Sequence, residues 1–123
     1  MDQGTAKEFL RRQPLFESLS DDELDRLHAM SETVELPTGA WLMREGEPGD
    51  TMFVVLEGEL EVTRRDGVTD EVIAVRARGE VIGEMALLQR QARTASVRAL
   101  SPARLLKIGP DAYDEFLAHK PDA

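Results

Sequence analysis

Residues 32–65 read ETVELPTGAWLMREGEPGDTMFVVLEGELEVTRR. Apolar residues recur there with a period of two, and Gly and Pro cut the stretch at short intervals. The clusters "TGA" and "EGEPGD" mark turns between runs rich in Val, Leu, Met and Phe. In "GELEVTR" the alternation is clean: Leu60 and Val62 fall on one side, Glu59, Glu61 and Thr63 on the other. The pattern predicts short antiparallel strands.

Downstream, Asp66-Gly67 is a hairpin signal. "EVIAV" follows as a strand, and Gly79 marks the turn after it. "RTASVRAL" and "RLLKI" read as two further strands. "GPDAYDEFLAHK" is a closing helix, with Pro110 in its first turn and Phe116 and Leu117 on its inner face. Upstream, "TAKEFLRR" is helical and Pro14 interrupts it, with Leu15, Phe16 and Leu19 as apolar anchors. In "SDDELDRLHAM", Ser20 is the expected N-cap and Glu23 its capping-box partner. Leu24 and Leu27, with His28 and Met30, form the expected buried stripe. The expected order is a helical segment over 5–30, about eight short strands over 32–109, and a helix over 110–119. That spacing predicts a mainly β fold, a jelly-roll β-barrel flanked by N-terminal helices and a short C-terminal helix. The 123 residues read as a single domain, 1–123.

Composition narrows the function. The chain is 41% hydrophobic and 32% charged, as expected of a soluble globular protein. It has no cysteine, so disulfides and thiolate metal sites are excluded. No apolar run is long enough to span a bilayer, and "MDQGTAKEFL" is no signal peptide, so a cytoplasmic location is expected. Acidic residues outnumber basic ones 24 to 15, a net charge of −9 that opposes nucleic-acid binding by this domain. An anionic ligand must therefore be held by a few local donors.

The segment that interrupts the strands supplies such donors. "GEMALLQRQARTAS", residues 83–96, begins with a glycine and a carboxylate and returns to a lone arginine followed by small residues. A glycine before a short helical turn lets backbone approach a ligand. Free N–H groups near Met85, Ala86 and Leu87 favour an anion. Arg93 offers a planar fork that matches phosphate oxygens. Thr94, Ala95 and Ser96 are small enough for phosphate to lie against the backbone. Glu84 would repel phosphate, yet a carboxylate is the natural acceptor for a ribose hydroxyl. Together they describe a nucleotide with a compact phosphate.

At these residues the sequence resembles the cyclic nucleotide-binding domain family, of the cAMP receptor protein and kinase regulatory subunit type. "IGEMALLQRQARTASVRAL" is similar to its phosphate-binding cassette, "PLFESLSDDELDRL" to its entry helices, and "GAWLMREGEPGDTMFVVLEGELEV" to its glycine-marked strands, with Gly39, Gly46, Gly49, Asp50, Phe53 and Gly58 at matching places. The resemblance runs from about Leu15 to Leu117. It implies a non-enzymatic sensor in which Gly83 and Glu84 meet the ribose 2′-OH and Arg93 holds the exocyclic phosphate oxygens. The amides of Met85 and Ala86, with Thr94 and Ala95, complete the cradle, and Val62, Ile73 and Val75 lie over the base. The implied ligand is cAMP, the more common messenger for a bacterial-looking sequence rich in Arg, Ala and Leu; Thr94 is also compatible with cGMP. No metal is implied, and the effector or partner protein is left open. The chain departs from the family at Ala92, where many members have proline; relatives carry a lid helix after "FLAHKP", which this domain is expected either to do without or to carry beyond Ala123.

Blander readings stand beside this one. Glu84 alone is a common first-turn carboxylate, and Arg93 alone an ordinary surface charge. A degenerate domain of the same fold would bind nothing and serve in docking or dimerisation. A jelly-roll metal enzyme would need clustered ligands on strands, whereas His28 and His119 lie on the terminal helices. Trp41, Met43 and Met52 read as core filler, Arg64-Arg65 as a solvated hairpin end, and Ser96 lacks a histidine partner.

Overall fold

In the computed structural model, residues 10–13, 16–83 and 92–117 are described. Among the described residues, Leu10 and Arg11 are helical, and eight strands lie between two further short helices. Helix α1 is Asp21–Ala29, and strands β1 to β3 are Glu32–Leu36, Trp41–Met43 and Met52–Glu57. Strands β4 to β6 are Leu60–Asp66, Thr69–Arg76 and Val81–Ile82. Strands β7 and β8 are Ser96–Ala99 and Ala103–Ile108, and helix α2 is Pro110–Phe116. The strands form two antiparallel four-stranded sheets, in the orders β1-β8-β3-β6 and β2-β7-β4-β5. This is the two-sheet order of a jelly roll.

The capping box forms as expected: Glu23 N donates to Ser20 Oγ at 3.1 Å, and Ser20 N donates to Glu23 Oε1 at 2.9 Å. Leu24 and Leu27 are fully buried, but Met30 is 45% exposed because it is the C-cap of α1 and points off the end of the stripe. Pro110 opens α2, and Phe116 and Leu117 are buried.

The apolar residues divide into two clusters on either side of the first sheet. Met52, Val54, Leu56, Leu106 and Ile108 pack with Phe16, Leu24, Leu27, Ala112 and Phe116 of the helical layer. Phe53, Val55, Leu60, Val97 and Leu105 fill the space between the sheets. Strand β3 thus has helices on one face and the barrel interior on the other, which is why "MFVVL" is apolar at every position.

Two readings need correction. Trp41 is 38% exposed, unlike the buried Met43 and Met52. It lies on the outer row Trp41, Arg98, Glu61, Val75, which runs in register across the second sheet. Arg44 and Arg98 sit over its ring, at 4.3 and 5.3 Å from the centroid. Thr63, expected on the polar side of β4, is buried. The β4–β5 register shifts between Val62 and Thr63, leaving Ile73 as the unpaired residue of a bulge. Thr63 pairs with Val72 on one side and Ser96 on the other, where the loop at Glu45 crosses, bonding both Ser96 Oγ and Arg65 N.

Candidate functional site

Arg93 emerges from the segment before β7 and is held by the loop between β2 and β3. Backbone bonds from Arg93 N to Glu47 O (2.8 Å) and from Gly46 N to Arg93 O (2.9 Å) fix its main chain. Pro48 and Ala92 form an adjoining bridge. Arg93 as a whole residue is buried. Its Nη1 donates to Thr51 O at 3.0 Å and Gly83 O at 3.3 Å, and its Nη2 donates to Thr51 Oγ1 at 3.0 Å. Two glycines make room for it. A Cβ on Gly49 would lie 2.2 Å from Arg93 Nε, and one on Gly83 would lie 2.6 Å from Nη1. Gly83 also has φ +81°, a conformation that disfavours any side chain.

Burial pushes the Arg93 pKa below its ordinary value, and the charges of Asp50 and Glu47 oppose that shift. Arginine starts so high that the group remains a cation at neutral pH. With Nη1 committed to two carbonyls, Nε and the second Nη2 proton have no protein acceptor among the described residues. The arrangement is a cation pre-oriented by its own fold, with donors that no described residue engages.

Beside it lies a cavity of about 240 Å³. Gly83, Arg93, Thr94 and Ala95 line it, together with the apolar Val62, Ile73, Val81 and Met43. Arg64 and Arg76 also line it, and no carboxylate does so among the described residues. In a chain of net charge −9 this is a local reversal of sign.

Of the residues singled out in the sequence, the structure brings Gly83, Arg93, Thr94, Ala95, Val62 and Ile73 to this one cavity. Val75 is not among the lining residues; it pairs with Glu61 on the outer row and is 44% exposed. Glu84, Met85 and Ala86 lie outside the described residues. Sequence reasoning missed Gly49 and Thr51 as partners of Arg93, and Arg64 and Arg76 as cavity walls. The cluster "EGEPGDT" carried a signal, two glycines within four residues, but reads locally as a turn. Among the described residues no group of three or more His, Asp or Glu is placed to hold a metal, and no helix is long and apolar enough to cross a membrane.

The chain is thus a jelly roll in which a buried arginine lines a partly apolar cavity. The comparisons name the family. A family model described as the cyclic nucleotide-binding domain matches residues 33–120, and the chain belongs to that family. It is 35% identical over 109 residues to a cAMP-dependent protein kinase regulatory subunit of Emericella nidulans, covering 89% of this chain and 26% of that protein. It is 34% identical over 99 residues to the cGMP-dependent protein kinase egl-4 of Caenorhabditis elegans, covering 80% of this chain and 12% of that protein. The regulatory domain of Toxoplasma gondii PKA, solved with cAMP, superposes with a TM-score of 0.87 at 28% identity, covering 95% of this chain and 46% of that one. The chain thus spans about a quarter or less of the length of these curated relatives.

Proposed function

We propose that this chain is a cytoplasmic, non-catalytic sensor module for cAMP. One observation carries the reading: Arg93 is buried, wedged between Gly49 and Gly83, and opens onto a cavity floored by small residues and walled by apolar ones. In this reading Arg93 grips the exocyclic phosphate oxygens. Thr94, Ala95 and the amides of Met85 and Ala86 complete the cradle. Glu84, following Gly83, accepts the ribose 2′-OH. Val62 and Ile73 pack on the base. The similarity to a cAMP-dependent kinase regulatory subunit and to a regulatory domain solved with cAMP supports the choice of cAMP; the similarity to a cGMP-dependent kinase makes cGMP the competitor to test.

Signalling proceeds by population shift, with ligand favouring one arrangement of the terminal helices. Val81 both lines the cavity and packs against the cluster that contains α1 and α2, so a ligand touching it biases the helical layer directly. The two helices are tied to each other: Arg26 Nη2 meets Glu115 Oε1 at 2.7 Å, and its guanidinium lies 5.2 Å from the Phe116 ring centroid. Leu100, a natural relay candidate from its place beside the cassette, is 42% exposed and lies in neither cluster.

Calorimetric titration with cAMP, cGMP and 5′-AMP in parallel tests the function. The expected result is micromolar binding of cAMP, weaker cGMP and far weaker 5′-AMP, with ligand-dependent thermal stabilisation. No heat and no stabilisation with any of them would identify a degenerate scaffold of the same fold.

A further inference from the structure

Arg93 accounts for one anion contact, but two more arginines face the same cavity, and they are not equivalent. Arg76 is already engaged: its Nη1 meets Glu80 Oε2 at 3.3 Å. Arg64, in register opposite Glu71, makes no ion pair with a carboxylate among the described residues. Its single protein acceptor among the described residues is Thr94 O, reached by Nε at 3.3 Å, and its two terminal amino groups have none. Thr94 follows Arg93 directly, so Arg64 is tethered at the phosphate end of the cavity. The strand explains the direction. Val62 and Arg64 are two residues apart on β4 and both line the cavity, whereas Arg65 does not line it and donates instead to Gly67 O at 3.3 Å.

We infer that Arg64 is a second anion contact of this site, reaching from β4 across the cavity to the phosphate that Arg93 holds from the cassette side. The inference rests on the cyclic-nucleotide reading and adds to it a specificity element. The Nε bond to the Thr94 carbonyl orients the side chain, and the free amino groups supply donors that a single buried arginine, half committed to carbonyls, lacks. Two cations lining one void repel each other until an anion lies between them, so ligand charge is worth more here than in a site with one arginine. Because Arg64 is exposed, that contribution is screened by salt.

The test uses Arg64→Gln, Arg64→Lys and, as a control of equal charge change on the same strand, Arg65→Gln. Each is titrated with cAMP and with uncharged adenosine, at low and high NaCl. The expected loss for Arg64→Gln is about tenfold in cAMP affinity at low salt, the scale of one charge-assisted hydrogen bond at a partly exposed site. The loss should shrink at high salt, and adenosine should be indifferent. Arg64→Lys should recover part of the affinity, and Arg65→Gln should change it by less than about twofold. Wild-type binding of cAMP with Arg64→Gln within twofold of it overturns the role of Arg64 and leaves the cyclic-nucleotide reading intact. Equal losses for Arg64→Gln and Arg65→Gln also overturn it, because the effect is then one of net charge. Failure of the wild-type chain to bind cAMP or cGMP overturns both.

Discussion

Gly49→Ala isolates the geometry of Arg93 without touching its charge. The added methyl would lie 2.2 Å from Nε and 2.4 Å from Cζ of Arg93. Carbon in ordinary contact stands about 3.5 Å away, so the guanidinium has to retreat by roughly 1 Å or more. A shift of that size breaks the bonds to Thr51 O, Thr51 Oγ1 and Gly83 O, which are 3.0, 3.0 and 3.3 Å long. The freed donors meet water, so the stability cost should be modest, about 1 kcal/mol and about 4 °C in Tm. Ligand binding should suffer more. Two charge-assisted bonds to phosphate at about 1.5 kcal/mol each amount to about 3 kcal/mol, on the order of 100-fold in Kd. The assay is calorimetric titration with cAMP beside a thermal melt. Gly109→Ala is the control, since a Cβ there meets nothing within 4 Å and the position is remote in sequence from the cassette. Gly49→Ala binding within about threefold of wild type, in a folded protein, would refute the claim that Gly49 sets the position of Arg93 and that this position governs binding.

Three further outcomes are expected. Arg93→Lys keeps the charge but loses the fork and its grip on Thr51 and Gly83, and should weaken cAMP binding at least tenfold; affinity within twofold in a titration would remove Arg93 from the phosphate role. Glu84→Gln should chiefly erode discrimination between cAMP and its 2′-deoxy analogue, about tenfold by competition; an unchanged ratio would rule out the ribose contact. Ser20→Ala removes one half of the capping box and should cost about 1 kcal/mol in a denaturant melt while leaving the cAMP Kd unchanged.

Much of the local structure was legible because its causes lie within a few residues. Ser20 and Glu23 satisfy each other's backbone amides across one turn, so the start of α1 follows from four letters. Gly109-Pro110 ends β8 and begins α2 for equally local reasons. The Asp66-Gly67 signal does join β4 to β5, with Gly67 at φ +69°. The two-residue strand β6 was not legible: Val81 and Ile82 are too short a run for periodicity to register, and they are a strand only because Val54 and Phe53 pair with them. The candidate site was legible at Arg93, Thr94 and Ala95, where an arginine and small residues are contiguous. It was illegible at Thr51 and Arg64, which are 42 and 30 residues from the groups they bond.

By itself the sequence determined the alternation that makes strands, the caps that bound the helices, the charge that confines any anionic ligand to local donors, and the cassette motif that identifies the family. Tertiary structure alone decided which faces are covered. The apolar run at β3 is buried on both sides because helices and the second sheet meet it from opposite directions. The loop at Glu45 crosses beside the buried Thr63, and at the β4–β5 bulge Ile73 joins the cavity wall while Val75, two residues on, remains on the outer row. It also decided that Gly49 is the seat of a guanidinium and that Arg64, outwardly the end of a solvated hairpin, faces the cavity. Periodicity reports the character of a face, whereas the partner of that face comes from segments tens of residues away, through register and packing.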